Sequence, residues 1–326
     1  MDIEVDYDTL QEKATEKLKT VQALIKGIES AFNNSTDEDK AWLRKIIDPS
    51  EDHGINLTRL FVEPKYRTFV WLRCAALRAL QLLIRVARIF LPRDQDHNAG
   101  CAFFVELVDR DLATEAFNMA IGLTKGADQN LAFGAIIFLT ELGPEAFPLQ
   151  ELPSMVETYL GLFLDLSHRA DDLVEVALCL HSWGDERRAE LLRATVQQKG
   201  GRRLCEVLLQ VINRGLDARP SRALKVLTGC LSLSGSDHLM YTNDVRVLVE
   251  IIQRELPAQA ELAAHGDFAC YANCYKALVM RSAPARVHCR DDMLEVLQSL
   301  ESDPRCDAEV HRHCKEALAI MAKFPR

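Results

Sequence analysis

The sequence predicts an all-α protein: an armadillo- or HEAT-like helical solenoid with an N-terminal helical cap. Three observations predict it. Apolar residues recur at helical spacing in stretches of roughly ten to twenty residues, separated by short polar or Pro/Gly breaks. Strand signals are nearly absent, with no Asn-Gly or Asp-Gly turn between alternating segments. Leu and Ala dominate, aromatics are sparse, and 11 Pro and 15 Gly in 326 residues are few, a composition that favours helix. No clean repeat of forty-odd residues is visible, so the solenoid expectation rests on helix spacing and short connections alone.

In chain order, the spacing predicts helices near 8–32 and 38–47. A long break from Asp48 to Pro64 then divides residues 1–65, an N-terminal helical segment, from residues 66–326, an armadillo-like helical repeat domain. The next helix spans about 66–91, and Leu91-Pro92-Arg93-Asp94-Gln95-Asp96-His97-Asn98 is a second break. Helices follow near 100–108, 111–124, 128–141, 151–167, 171–182 and 185–198. The last are expected near 203–214, 219–233, 243–256, 262–281, 289–301 and 307–323, fifteen in all.

With 48% hydrophobic residues the chain can bury a large core. A net charge of −9 gives no global positive field for nucleic acid. Met1-Asp2-Ile3-Glu4-Val5-Asp6 has no basic, apolar leader pattern, and no apolar run reaches the roughly eighteen residues of a membrane span. Ten cysteines without a secretory signal read as reduced thiols, which places the protein in the cytoplasm.

Charge is more instructive locally. Glu141 to Leu178 holds eight acids and one base; Arg187 to Lys225 holds ten bases and three acids. Such blocks form either a solvated surface with loose ion pairs or a face that steers a charged partner. Arg73, Arg78, Arg85 and Arg88 fall within roughly 140° of one another on their helix. They are either its wet side or a site for carboxylates of an acidic helix.

The chemistry-bearing constellations are weak. His288, Cys289, Cys306, His311, His313 and Cys314 lack the paired two-to-four spacing of a zinc site, so no metal is expected. Cys270 and Cys274 share a helix face, but Tyr271 and Tyr275 repeat at the same spacing, as core packing produces. Gly200-Gly201 before Arg202-Arg203 is either a phosphate-greeting helix start or a turn with exposed bases. Asp171-Asp172 and Asp291-Asp292 sit at helix starts, where the dipole accounts for them. There is no P-loop, nucleophile elbow or dinucleotide glycine motif, so neither an enzyme nor a cofactor is expected.

The most specific stretch is Tyr241 to Leu256. Thr242, Asn243 and Asp244 supply N-cap candidates. Val245, Leu248, Val249, Ile252 and Leu256 follow helical spacing, Val247 and Ile251 add a second apolar row, and Pro257 is expected to stop the helix. A helix apolar on most sides is expected to be almost fully buried.

Tyr241-Thr242-Asn243-Asp244, followed by Val247-Leu248-Val249, Ile251 and Arg254-Glu255-Leu256, resembles the leucine-rich C-terminal region of the WISH/DIP/SPIN proteins, activators of the actin-related protein 2/3 complex. A weaker leucine-rich helix at Ala223–Leu233 precedes it, so the family region is 223–256; Glu250 stands where Asp is expected. The chain is similar to the compact fungal type or to a trimmed functional core, since it shows neither an SH3 domain nor proline-rich segments. Trp42, Trp71 and Trp183 lie in helical stretches, and no acidic tail ending near a tryptophan is present, so activation is expected to use a folded surface.

The resemblance implies a non-enzymatic activator of that complex. It would seed linear filaments without a preformed filament, act on actin indirectly and work at cortical, endocytic actin patches, with no nucleic-acid partner and no membrane insertion. The motif residues Tyr241, Thr242, Asn243, Asp244, Val247, Leu248, Val249 and Arg254 are expected to be mostly structural. Partner contacts are expected from Arg202, Arg203, Arg214, Arg219, Arg222 and Lys225. The alternative is a general armadillo-like adaptor for extended peptides with no actin role.

Overall fold

The computed structural model describes residues 7–90, 99–214, 219–261 and 268–324, with the side chains of Ala99, Ser167, Arg219, Gln259–Glu261 and Phe268 excluded. The acidic start Met1–Asp6, the break 91–98 and residues 262–267, where a helix start was expected, lie outside the described residues. Every regular element described is helical, with seventeen α-helices, six short 3-10 turns and no strand among the described residues. Among the described residues no helix is long and apolar enough to cross a membrane.

The chain divides into two compact units, residues 1–159 and 160–326. The first contains α1 (Tyr7–Asn34), α2 (Asp37–Ile46), α3 (His53–Val62), α4 (Val70–Phe90), α5 (Ala99–Val108), α6 (Arg110–Thr124) and α7 (Gln129–Leu142). The division falls within α8 (Leu152–Asp165). The second unit holds α9 (Ala170–Ser182), α10 (Asp185–Gln197), α11 (Gly200–Arg214), α12 (Arg219–Ser232) and α13 (Thr242–Glu261). It ends with α14 (Phe268–Arg281), α15 (Ala283–Val287), α16 (Arg290–Ser302) and α17 (Ala308–Lys323).

In the first unit α4 is the hub, packing against α1, α2, α3, α5 and α7. The reason is its composition: Leu72, Ala76, Leu77, Leu80, Leu83 and Ile84 are fully buried and lie around much of its circumference. Phe61, Phe104 and Phe138 meet beside it with ring centroids 5.3–6.2 Å apart. The expected break at Asp48–Pro64 is instead occupied by α3, flanked by turns at Pro49–Glu51 and Pro64–Tyr66. Its start carries no side-chain cap: Asp52 is left-handed (φ 55°), and while its carbonyl accepts from Asn56 N at 2.9 Å its side chain bonds no helix N–H. Asp52 is a capping residue type in the sequence, but the structure does not use its side chain as a cap. Packing forms the helix: Leu57, Leu60, Phe61 and Val62 are buried, and a Cβ on Gly54 would lie 2.2 Å from Leu107 Cγ.

Of the arginine row on α4 only Arg73 is buried; Arg78, Arg85 and Arg88 keep 34–39% side-chain exposure but are paired within the chain, so the row is a wet side and not a free docking site. Arg73 is 5% exposed; its Nε donates to the Phe61 carbonyl at 3.1 Å and its guanidinium lies 5.4 Å from that ring centroid. Arg78 pairs with Glu29 of α1 at 3.3 Å. Arg85 and Arg88 share the Glu141 carboxylate of α7 at 2.6 and 2.9 Å. The carboxylates that suit these guanidinium groups belong to the same chain, and the row ties α1 and α7 to the hub.

In the second unit α12 and α14 form the centre. α12 packs on α9, α10, α11 and α14, while α14 also meets α13, α15 and α17. Leu224, Leu227 and Cys230 of α12 and Ala272, Cys274 and Tyr275 of α14 are fully buried. The Tyr275 hydroxyl reaches Met321 Sδ of α17 at 3.3 Å, which satisfies its one polar atom inside this core.

Candidate partner-binding surface

The surface is built on α11, α12 and α13. The first turn of α11 is placed by close approach. A Cβ on Gly200 would sit 1.9 Å from the Leu160 carbonyl oxygen, and one on Gly201 1.7 Å from that of Thr195. Both glycines are buried, so Gly200-Gly201 is neither a phosphate-greeting start nor an exposed turn but a packing point where only hydrogen fits.

From that anchored start, Arg202, Arg203 and Arg214 project within about 120° of one another on the outer side of α11. Arg202 is half-buried: its Nε donates to the His238 carbonyl at 2.8 Å, and its guanidinium lies 4.6 Å from the centroid of the Tyr241 ring. It bridges α11 to the turn that introduces α13, which makes it a packing group as well as a base. Arg203, also half-buried, pairs with Glu206 at 2.7 Å; Arg214 is exposed. The expectation that these bases are all simply exposed is thus corrected for Arg202 and Arg203.

On α12, Arg222 and Lys225 are exposed, and Gly229 and Ser232 continue their stripe. Arg222 lies 4.0 Å from Glu175 of α9. Here the acidic and basic blocks meet. Other bases of the block pair locally, Arg188 with Asp185 and Arg193 with Glu190. The Arg219 side chain lies outside the described residues.

α13 departs from expectation in three ways. It is not almost fully buried: Val245, Leu248, Val249, Ile251, Ile252 and Leu256 face the core, whereas Tyr241 is 54% and Val247 37% exposed. Thr242, Asn243, Arg246, Glu250 and Arg254 share that open side and Asp244 is half-buried, so of the eight motif residues only Leu248 and Val249 are buried. Asp244 lies in the first turn and Val245 N bonds to the Tyr241 carbonyl, so Thr242–Asp244 begin the helix itself instead of capping it. Finally, the helix passes through Pro257 to Glu261. Proline removes one helical donor, and the fully buried Leu256 before it holds that turn in place. Glu250 bonds His288 Nε2 at 2.8 Å and Gln253 bonds Asp292 at 3.2 Å, tying α13 to the start of α16.

The C-terminal His/Cys residues are dispersed among separate partners. His311 Nε2 meets the Asp303 carbonyl at 2.9 Å, and His313 is buried against Lys276 at 3.2 Å. Burial pushes the Cys314 and Cys274 thiols up to about 12, the reverse of what nucleophilic cysteine needs. Cys205 is likewise raised, first by its hydrogen bond with Cys230 and then by burial. Cys274 is the core group expected of the Cys270/Cys274 pair, but Cys270 is only half-buried and lines a cleft.

Sequence reasoning missed that cleft. About 230 Å³ in volume, it lies where α9, α10, α12 and α14 come together and gathers His181, Arg188, Lys225 and Asn273. No spacing rule links four helices, so no signal in the sequence announces it. Burial, and then the charges of Arg188 and Lys225, hold the His181 imidazole down to about 4.

Comparison with known proteins adds one informative match. Residues 163–283, well under half of the chain, match the family model described as SPIN90/Ldb17, leucine-rich domain. The matched stretch contains the whole 223–256 region and supports the WISH/DIP/SPIN resemblance carried by Tyr241–Leu256. No curated protein matches the chain. Among solved structures, a crystal structure of an engineered protein is 16% identical, covering 83% of this chain and 96% of that one, at a TM-score of 0.39. At that similarity the likeness defines neither fold nor function.

Proposed function

We propose that this chain is a compact WISH/DIP/SPIN-type protein that binds and activates the actin-related protein 2/3 complex without a preformed filament, seeding linear actin filaments for branched networks. The observation that carries the reading is the leucine-rich-domain match over residues 163–283, which includes the Tyr241–Leu256 motif. The all-helical scaffold and the exposed cations of α11 and α12 are consistent with it. In this reading residues 66–326 form armadillo-like repeats behind an N-terminal helical segment, and the protein is a non-enzymatic cytoplasmic factor of cortical, endocytic actin patches.

The task is a population shift. A stiff helical surface that binds the active arrangement of the complex more tightly than the inactive one moves the balance by that difference in affinity. Arg202, Arg203, Arg214, Arg219, Arg222 and Lys225 are the proposed contacts; Arg214, Arg222 and Lys225 are the exposed ones among those described. The open face of α13, with Tyr241, Val247 and Arg254, lies next to them through the Arg202–Tyr241 contact.

The test mixes purified protein with actin and the actin-related protein 2/3 complex, with no filament seeds and no tail-type activator. Faster assembly into unbranched filaments is expected. The triple variant Arg203→Glu, Arg214→Glu, Arg222→Glu should lose seeding while keeping its helical circular dichroism. Full activity in that variant discards this surface; no acceleration by the unaltered chain discards the function.

A further inference from the structure

The cleft between α9, α10, α12 and α14 belongs to none of the contacts proposed above except through Lys225, and its chemistry has a direction. We propose that it is a binding site for a phosphate group carried on a small substituent, held by Lys225, Arg188 and His181 over the Thr228 hydroxyl.

Four observations carry this. First, a buried hydroxyl of poor hydrogen-bond geometry belongs to a residue that lines it. Thr228 is 5% exposed, and its hydroxyl, although beside the buried Cys274 thiol, makes no hydrogen bond of ordinary geometry. A buried hydroxyl without a partner is destabilising, and a small side-chain shift toward the cleft would let a bound oxyanion accept from it. Second, charge of one sign converges at the rim. Among the described residues no carboxylate pairs with Lys225, and the one partner of Arg188, Asp185, has a 92% exposed side chain. Both cations lie close enough to His181 to help keep it neutral.

Third, the donors outnumber what a carboxylate accepts. An ammonium, a guanidinium, an imidazole, a hydroxyl and the Asn273 amide come from four helices to one cleft. A carboxylate offers about four lone-pair sites on two oxygens, fewer than the five groups present, whereas the three terminal oxygens of a phosphate monoester offer more acceptor sites and more charge. Fourth, the cleft has room for more than the anion. Its 230 Å³ extends along Leu192, which packs into the space left by the missing side chain of Gly229 (a Cβ there would lie 2.8 Å from Leu192 Cδ1). That apolar wall suits the substituent of an ester better than bare inorganic phosphate.

Binding changes the imidazole. Arg188 and Lys225 oppose its protonation; Asp185 pairs with Arg188 from the same turn of α10, and Cys270 lines the cleft from α14. A bound phosphate, a monoanion in the pH range where this imidazole titrates, sets negative charge against that of Arg188 and Lys225, so the His181 midpoint rises from about 4 and binding is coupled to proton uptake.

The experiment titrates the full chain with inorganic phosphate and with O-phosphoserine at constant ionic strength, chloride being the control. NMR follows His181, and calorimetry follows affinity. The expected result is saturable binding that chloride does not reproduce, O-phosphoserine tighter than inorganic phosphate, and a His181 midpoint raised by about one pH unit. Lys225→Gln, a change at an exposed side chain, should weaken binding about tenfold or more. Thr228→Val should weaken it as well while leaving the melting temperature of the unliganded protein unchanged or higher, since it removes an unpaired hydroxyl. A phosphoserine peptide that binds more tightly than free O-phosphoserine identifies a phosphorylated protein as the source, and equal or weaker binding a free phosphate ester. Non-saturating shifts, or affinity indifferent to both substitutions, overturn the site. None of these readouts uses actin, so the outcome is separate from that of the seeding assay.

Discussion

Two glycines show how a single residue sets the position of a surface. Gly200 allows the backbone of α11 to touch α8, leaving no room for a methyl group against the Leu160 carbonyl. Gly161, one residue further along α8, has nothing within 4 Å of where its Cβ would lie. Gly200→Ala should therefore destabilise the protein by about 1–3 kcal/mol, because α11 must move away from α8. Gly161→Ala should be neutral or stabilising by about 0.5–1 kcal/mol, as expected of glycine in a helix. Denaturant midpoints of the two variants check the contrast; equal effects would show that close approach is not what Gly200 provides. Both are glycines in helical surroundings and read alike in sequence, because the carbonyl each one faces lies in a different element or is absent.

At the scale of the element, the α4 arginines show how a row can be legible in the sequence while its partners are not. Their angular spacing was legible; that Glu29 and Glu141 stand opposite them was not, since these acids lie 49 and 53–56 positions away in sequence. Glu141 is 14% exposed and accepts from both Arg85 and Arg88, while the arginines keep 39% and 34% exposure. Solvent screening tempers so open a pair of bridges, and the shared, charge-assisted geometry strengthens it. Glu141→Gln should lower stability by about 1–2 kcal/mol, and adding salt should shrink the difference between the two proteins. No difference at low salt would mean the bridges contribute nothing measurable, and one that salt does not alter would assign it to hydrogen bonding and not to charge. Fifteen of the helices were visible from periodicity and breaks, and two were not. α3 lies in the stretch from Asp48 to Pro64 that reads as a break, and α15, five residues long, is too short to show a period. α13 was visible as a helix but not as a half-open one. Apolar content alone does not say which rows find a neighbour, and Val247 found none that covers it.

For the whole molecule, the segregation of charge along the sequence matters only where it survives pairing. Several bases of the Arg187–Lys225 block are neutralised within their own turns, and Arg214, Arg222 and Lys225 are the ones whose exposure leaves a field for a partner. If the proposed surface steers binding, association with the actin-related protein 2/3 complex should slow as ionic strength rises from about 0.01 M to about 0.1 M, where the screening length drops from about 30 to about 10 Å. A rate insensitive to salt would shift attention to the apolar side of α13. What the sequence determined by itself was helical class, most element positions and the leucine-rich family signal at 223–256, because periodicity and a long local motif are properties of neighbours along the chain. Only the tertiary structure decided which arginines are internal, which face of α13 is open, why Gly200 is glycine and that four helices share a cationic cleft. Those facts depend on groups brought together across dozens of residues, and burial and pairing are fixed only when the helices pack.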